Sequence, residues 1–586
     1  MSFASSNRDP PVKLILAIDI GTTFTAASYC VMLKDTEPFL QEVNKWPKQA
    51  TGNAKIPSVL YYDQLTVARL RGDETEDEGS LLAAELGNWK KAEWWKLLLR
   101  PPYLPMPIDF FPFVLPPGVT VDVVFRDHFA YVLESVRGFV IKKHSSSDKF
   151  WDELASSMVV VLTTPNGWEG RHQNRMREAA IKAGLVKPDQ RNRVRFVSEG
   201  EAAVHFALDC PKVKHSIAKE SIILVCDVGG GTTDIGIYKV NGLSPINLDE
   251  ISSPRCIVAG GVFVNVAAEK YFAKKLQGTK WDTPECITTV VKAFERQVKR
   301  IFKGTEPHSF LRIDNSTEND EAHGVILGRL RIPREDMISF FEPSIQTIIG
   351  GLDEILSTGR LKVNKAIVIG GFAESDYVYS QMTRWADSHQ IPIAKPDGIL
   401  SKAIAHGAIR WHLHSGVQVR VAKLHYGAEV NVAFDPQDPS MAGRERYRNV
   451  HKKWRVREAW KTIVQKNARL MPGDEYTSWF HFDFHDADSK TVEMELYAYR
   501  FADPPQFYKT KDGRLTEGII HIGTIQGDLS RCFNAAPYKR SSSKKKYKTL
   551  EYEVCLSFDE IEIKACLTWR ENGVQIFGEA TILYDL

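Results

Sequence analysis

Ile15-Leu-Ala-Ile-Asp19-Ile-Gly21-Thr22-Thr23 returns 208 positions later as Ile223-Leu-Val-Cys-Asp227-Val-Gly229-Gly230-Gly231-Thr232-Thr233. Each copy is an apolar run without polar alternation, then an aspartate, then a Gly/Thr turn. A second β-prone run follows, Phe24 to Leu33 in the first copy and Asp234 to Val240 in the second. That order predicts a buried strand, a tight hairpin and a returning strand. Two such units at this separation predict a fold duplicated across a cleft.

Between the copies, Met158 to Thr164 reads as another buried strand, closed by Pro165. It leads into a helix through Arg175, Met176, Glu178, Ala179 and Ala180 that stops at Gly184. Arg195 to Ser198 is a short strand, and Glu201 to Leu208 has helical composition. After the second copy, Gly260-Gly261 precedes an amphipathic helix over Val264 to Leu276, and a further helix covers Pro284 to Phe302. Lys365 to Ile369 is one more buried strand, ending in Gly370-Gly371. Strands alternating with helices up to Trp411 predict an α/β domain with mixed sheets.

Past Val417 short alternating runs take over: Glu429 to Phe434, Thr477 to Phe484, Thr491 to Tyr499, Glu551 to Phe558, Glu560 to Trp569 and Val574 to Leu583. With turns such as Glu571-Asn572-Gly573, they predict an antiparallel β-domain of about 165 residues, its boundary near Ser415-Gly416. The acidic Asp73 to Glu78 and the basic Lys539 to Lys548 read as flexible.

A chain of 586 residues is expected to fold as two to four domains, and 43% hydrophobic with 25% charged residues excludes disordered, collagenous and coiled-coil classes. A formal charge of +3 argues against a dedicated nucleic-acid or membrane-surface binder. No apolar run approaches the roughly 18 to 20 residues that span a bilayer, and the N-terminus lacks a secretory segment. A cytoplasmic or nuclear protein is expected. The eight cysteines stand singly, without a C-x-x-C pair, so neither a disulfide scaffold nor a zinc ribbon is encoded. No Gly-Lys dipeptide exists, which excludes a Walker A loop, and H-E-x-x-H, G-x-S-x-G and G-x-G-x-x-G are absent.

A Gly-Thr-Thr turn at the end of a buried strand offers consecutive backbone N–H groups, and its small side chains let phosphate oxygens approach. Two such turns facing each other would clamp a polyphosphate. Asp19 and Asp227 repel phosphate, so each needs an intervening cation, and Mg²⁺ with its water shell fits.

Asp19 to Thr23, Asp227 to Asp234 and Ile367-Val-Ile-Gly370-Gly371-Phe372 resemble the phosphate-1, phosphate-2 and adenosine motifs of the actin, sugar-kinase and heat-shock protein 70 ATPase superfamily. Within it, Ile56-Pro-Ser58, Thr164-Pro165, Ser198-Glu-Gly-Glu-Ala-Ala203 and the trailing β-domain resemble heat-shock protein 70, in particular its divergent family A member 12-like branch. The resemblance implies a flexible N-terminus over 1–12 and a two-lobed, ribonuclease H-like ATPase domain over 13–415. Its first lobe covers about 13–220, its second about 221–365, and a return to the first about 366–415. A β-rich domain over 420–586 follows, substrate-binding-like but without a helical lid.

The site implied by the resemblance binds ATP or ADP with Mg²⁺. Asp19 and Asp227 hold the metal through water. Gly21, Thr22, Thr23 and Phe24 in one turn, and Gly229, Gly230, Gly231 and Thr232 in the other, cradle phosphates. Glu199 and Asp234 orient the attacking water, with Lys96 as the nearby cation. Lys96 has a competing reading as a helix lysine reaching solvent. Gly260 and Gly261 offer phosphate donors or only a strand-to-helix turn. Glu295, Lys299 and Arg300 stand where the family contacts ribose and adenine, although Glu295 and Lys299 are also spaced for a surface salt bridge. Gly370 and Gly371 belong to the adenosine motif.

Several positions depart from the family. Phe372-Ala-Glu374-Ser375 replaces a small residue and the arginine that stacks on adenine, which opens base identity. Gly200 stands where proline is usual, and no hydrophobic, aspartate-bounded linker is visible in His414 to Arg420. Partners expected from the resemblance are an unfolded peptide or protein client on the β-domain and nucleotide-exchange or co-chaperone proteins. The rival expectations are a nucleotide-bound scaffold with negligible turnover and a small-metabolite kinase.

Other constellations carry less. His481, Asp483 and His485 alternate as metal ligands would, but a solvated face opposite buried phenylalanines is preferred. Lys544 to Lys548 reads as a basic loop rather than a nuclear address, and Trp89, Trp94 and Trp95 as packing of a peripheral subdomain.

Overall fold

Neither quoted run carries a polar side chain before its aspartate, so each can be covered on both faces, and both form central strands. A computed structural model describes residues 12–33, 38–49, 52, 54–107, 114–144, 147–168, 170–315, 317–359, 361–396, 403–414, 417–449, 451–486, 488–540, 546–559 and 562–584. The N-terminal residues to 11, the boundary at Ser415-Gly416, Lys544, Glu560 and Leu586 lie outside the described residues.

In the first sheet β1 (Val12–Ile20) pairs antiparallel with β2 (Phe24–Leu33), and β3 (Phe39–Glu42) and β4 (Lys55–Pro57) both pair with β2. On the other side β1 lies parallel to β5 (Val159–Thr164), and β5 to β6 (Val194–Ser198). The second sheet repeats that scheme. There β7 (Ile222–Val228) pairs antiparallel with β8 (Thr233–Leu243), which pairs with β9 (Ile246–Glu250). Its parallel neighbours are β10 (Lys365–Ile369) and, beyond it, β11 (Ile393–Ala394).

Two helices join the sheets. Ser198 caps α1 (Glu199–Asp209), its hydroxyl accepting from the Glu201 N–H at 3.2 Å, so Glu199 stands at the first helical position beside the end of β6. Ala202, Ala203 and Ala207 of α1 and Ala408 and Ile409 of α3 (Ala403–His414) share one apolar cluster with Ile15 and Ala17 of β1 and Ile223 and Val225 of β7. A Cβ at Gly407 would stand 1.9 Å from the Ala202 carbonyl oxygen, so only glycine permits this helix crossing. The alternate residues of β7, Leu224, Cys226 and Val228, face a second core with α2 (Gly261–Lys275) and the helix Arg334–Gly359.

The chain divides into two compact units, Met1–Gly167 with Met176–Val417, and Trp168–Arg175 with Gln418–Leu586. The second unit holds a sheet in the order Arg446–Arg448, Trp454–Val464, His425–Ala433, Thr491–Tyr499, Ile519–Asp528, Val574–Leu583, Glu562–Glu571, Lys546–Asp559, Glu475–Phe484. Leu496, Ile525, Val554, Leu567 and Trp569 centre its core.

Some expectations are corrected. The acidic run is not flexible: Gly72–Glu76 is a 3₁₀ turn, and the Asp77 carboxylate caps the helix Glu78–Leu86 by accepting from Ser80 N–H at 3.0 Å. Lys539 and Arg540 are strand residues opposite Tyr547 and Lys546, and Lys548 is buried, donating to the Phe533 carbonyl at 2.8 Å. The helix from Pro284 ends at Ala293 and widens into a π turn over Phe294–Val298. Phe480 and Phe484 are buried but Phe482 is 53% exposed, so the phenylalanine face is only partly covered. Among the described residues no helix is long and apolar enough to cross a membrane.

His128, on the helix Val121–Lys143, is fully buried with Nε2 2.8 Å from Thr25 Oγ1 and no hydrogen-bond partner for Nδ1 among the described residues. Burial, and secondarily the Arg71 charge, pushes it down to about 3. The unfolded chain therefore binds a proton that the folded one refuses, and stability is lost as pH falls through about 6.5 towards 3. Between pH 7 and 5 this costs about 2 kcal/mol. Urea unfolding of His128→Gln should show that part of the acid slope removed; an unchanged slope would contradict the assignment.

Candidate functional site

Each quoted turn closes on the same hydrogen bond. Gly21 N–H donates to Phe24 O at 2.9 Å, and Gly229 N–H donates to Thr232 O at 2.9 Å. The offset of 208 is thus kept residue by residue through the turns, so Gly230 and Gly231 occupy the places of Thr22 and Thr23, and Asp234 the place of Ala26. The turns face each other. A Cβ on Gly230 would meet Thr23 Oγ1 at 2.5 Å and one on Gly231 would meet Thr22 Oγ1 at 2.4 Å, so the second turn must be glycine for the first to be threonine.

Behind the turns the acids gather. Asp19 accepts from Thr163 Oγ1 at 2.8 Å. Asp234 accepts from Asn166 N–H at 2.5 Å and is 1% exposed. Gly370, at φ +97°, backs onto Asp227: a Cβ there would lie 2.4 Å from the carboxylate oxygen. Burial, then the charges of Glu199 and Asp19, pushes Asp227 up to about 8. Burial and the Glu199 charge likewise raise Asp234.

Lys96 is the buried cation here. It stands on a 3₁₀ turn, Trp95–Leu99, rather than a solvent-facing helix, is 1% exposed, and donates to Glu199 Oε1 at 2.5 Å. Trp95 locks that turn, its indole donating to Ser58 O at 2.8 Å and its ring packing edge-on against Phe125. Burial opposes the Lys96 charge, but Glu199, Asp19 and Asp234 outweigh it and hold the ammonium charged. For Glu199 burial dominates and raises the carboxyl despite Lys96. Four buried carboxylates thus share one fully buried ammonium.

A cavity of about 490 Å³ opens onto these groups. Asp19, Gly21, Thr22, Thr23, Phe24, Lys96, Glu199, Asp227, Gly229, Gly230, Gly231 and Thr232 line it, as do Gly261, Glu295, Lys299, Arg300, Gly370 and Gly371. Gly260 and Asp234 stand outside the lining. The glycine pair's first role is packing: the Gly261 and Val262 N–H groups donate to Gly229 O at 3.3 Å and Gly230 O at 2.8 Å, so those donors are engaged by the turn itself. Glu295 and Lys299 do form the i,i+4 salt bridge, but Lys299 is not at the surface. It is buried, donates to Gly261 O at 2.7 Å and Asn265 Oδ1 at 2.9 Å, and stands 3.7 Å from Glu295. Burial pulls its ammonium down to about 8.

Sequence reasoning missed Lys55, which β4 carries to the cavity by pairing opposite Ala26 of β2. It also missed Ser375, a buried cavity residue whose hydroxyl has no partner among the described residues. Lys55 carries no local signal, because its place depends on the strand pairing. Phe372, in the place of the family's small residue, stacks on Phe341 at 12° between ring planes, and Glu374, in the place of the arginine, lines the cavity.

No family model matches the chain. It is 23% identical over 501 residues to Heat shock 70 kDa protein 12A of Mus musculus, across 71% of this chain and 72% of the relative. Heat shock 70 kDa protein 12A of Homo sapiens gives 23% over 504 residues with the same shares. Chaperone protein HscA of Buchnera aphidicola subsp. Acyrthosiphon pisum is 24% identical over 236 residues, 39% of this chain and 33% of that one.

Removing one member of a buried ion pair leaves the other charge uncompensated, at about 3–5 kcal/mol. Lys96→Met should therefore destabilise by about 3 kcal/mol, and Lys96→Met/Glu199→Gln should recover most of it in denaturant unfolding. Equal losses in the single and double variants would assign Lys96 to packing alone.

Proposed function

The chain is a divergent heat-shock protein 70-like protein, and from that premise we propose that it binds ATP and ADP with Mg²⁺ in the cleft between the two Gly/Thr turns and hydrolyses ATP slowly. The observation that carries this reading is the pair of facing turns over a cavity lined by the buried carboxylates of Asp19, Glu199 and Asp227 and the fully buried ammonium of Lys96.

The donor set suits the metal. Mg²⁺ favours carboxylates and keeps several waters, and its two charges would offset the surplus acid at the strand ends. Asp19 and Asp227 would hold it. When bound it would neutralise charge on the phosphates and orient them. The rest falls to the chain. Thr22, Thr23 and Gly230 to Thr232 present backbone donors, and Gly229, whose own N–H closes the turn, adds close approach to phosphate oxygens. Glu199, held by Lys96, orients the attacking water, and Asp234, held by the Asn166 N–H, supports it. Ser375 offers its unpartnered hydroxyl on the adenosine side, with Gly370, Gly371, Glu295 and Lys299 around it.

On this reading residues 13–415 form an actin-like ATPase domain whose two lobes close on nucleotide, residues 420–586 form a β-rich domain that takes a peptide or protein client, and nucleotide-exchange or co-chaperone proteins are further partners. The protein works in the cytoplasm or nucleus. One observation favours the scaffold alternative, nucleotide binding with negligible turnover: Glu199 Oε1 is already occupied by Lys96.

A steady-state phosphate-release assay separates the two. The proposal expects slow release that disappears with chelator and falls by at least about 100-fold in Asp227→Asn, the order expected for loss of one charge-stabilising group. Equal background rates in both chains would leave the scaffold; phosphate appearing on an added polyol would indicate a kinase instead.

A further inference from the structure

The eight cysteines stand singly in sequence, yet the β-sheet brings two of them face to face. Cys555, on Lys546–Asp559, lies directly opposite Cys566, on Glu562–Glu571. The row continues to Thr477 on one side and Glu579 on the other. Residues in one cross-strand row stand on one face of a sheet, and residues two apart along a strand share it. Glu475, two before Thr477, therefore joins the same face. The neighbouring Val554, Leu556 and Leu567 point into the apolar core on the other side.

The convergence is close. One carboxylate oxygen of Glu475 and the sulfurs of Cys555 and Cys566 all lie within 4.8 Å of one another. Both cysteines are free thiols. Glu475 has no hydrogen bond or ion pair among the described residues and is exposed, while Cys555 is buried, so the group has a protected floor and an open mouth. The floor is fixed from the next row of the same face: Cys555 Sγ stands 3.8 Å from Thr568 Oγ1, and that hydroxyl donates to Glu553 Oε2 at 2.9 Å. A hydrogen-bonded support of this kind sets the orientation of a metal ligand.

We propose that Cys555, Cys566 and Glu475 form a binding site for a thiophilic divalent cation of the zinc class, independent of the nucleotide cleft. Two sulfurs and one carboxylate oxygen match the soft and borderline ligands such a cation selects over the all-oxygen sets of Mg²⁺ or Ca²⁺. Three protein ligands leave the fourth tetrahedral position to water, on the exposed side. Glu579, opposite Cys566, adds negative charge beside the pair. Binding forms two metal–sulfur bonds and one metal–oxygen bond and releases the thiol protons to solvent, with no oxidant needed.

The test is a Co²⁺ titration of the reduced, metal-stripped full chain, followed by the thiolate-to-cobalt charge-transfer absorption in the near ultraviolet. One band should saturate at one Co²⁺ per chain and vanish when Zn²⁺ is added. Cys555→Ser and Cys566→Ser should abolish it, and Cys532→Ser, outside the group, should leave it unchanged. Glu475→Gln alters an exposed side chain, so it tests the site without risk to folding. Its Co²⁺ affinity should fall by at least about tenfold, the loss that outer-shell changes alone already cause. Absence of the band, its survival in Cys566→Ser, or full affinity in Glu475→Gln would overturn the proposal.

Discussion

Four carboxylates and one ammonium, all withdrawn from water behind the two Gly/Thr turns, form the constraint on which the rest of the first unit depends. Isolated buried charges are costly, and each acid here is held by a specific donor or a specific neighbour. Thr163 holds Asp19, Asn166 holds Asp234, and Lys96 holds Glu199. Gly370 permits Asp227 its place by having no side chain. Burial first, and the neighbouring acid charges second, raise the carboxyl groups of Asp227 and Asp234. Surplus negative charge beside a glycine cradle is a setting in which a cation and a polyphosphate compensate each other.

Sterics and electrostatics cooperate at the turns. Threonine in one turn and glycine in the other is the combination that lets the two backbones meet, since side chains on both sides would collide at under 3 Å. The same economy recurs where Gly260 and Gly261 bring α2 against the second turn, and where Gly407 lets α3 cross α1. The two sheets of the first unit are thus joined by helices packed between them.

The sequence makes some of this legible and hides the rest for identifiable reasons. Unbroken apolar runs ending in aspartate mark β1 and β7 because a strand buried on both faces admits no polar residue. The composition of Glu201 to Leu208 marks the next helix, which starts two residues earlier, at Glu199, because the Ser198 hydroxyl caps it. By contrast, Asp73 to Glu78 looks solvated by charge alone, whereas Asp77 spends its carboxylate capping a helix. Lys55 reaches the cavity, and Cys555 reaches Cys566, only through strand pairing, which local composition does not encode. Trp454–Val464 escapes notice because Arg455, Arg457, Glu458 and Lys461 break up its apolar pattern. Asp234 is read with the phosphate turn, but residue-by-residue register sets it opposite Asp227 and outside the cavity lining.

The central claim is that paired acidic turns hold a magnesium-charged polyphosphate. Isothermal titration calorimetry of the chain with ADP tests it most directly, run with Mg²⁺ and again with excess EDTA. The account predicts one site per chain whose heat is abolished by EDTA and by Asp19→Asn. Heat that persists unchanged in EDTA, or no heat at millimolar nucleotide, would contradict it.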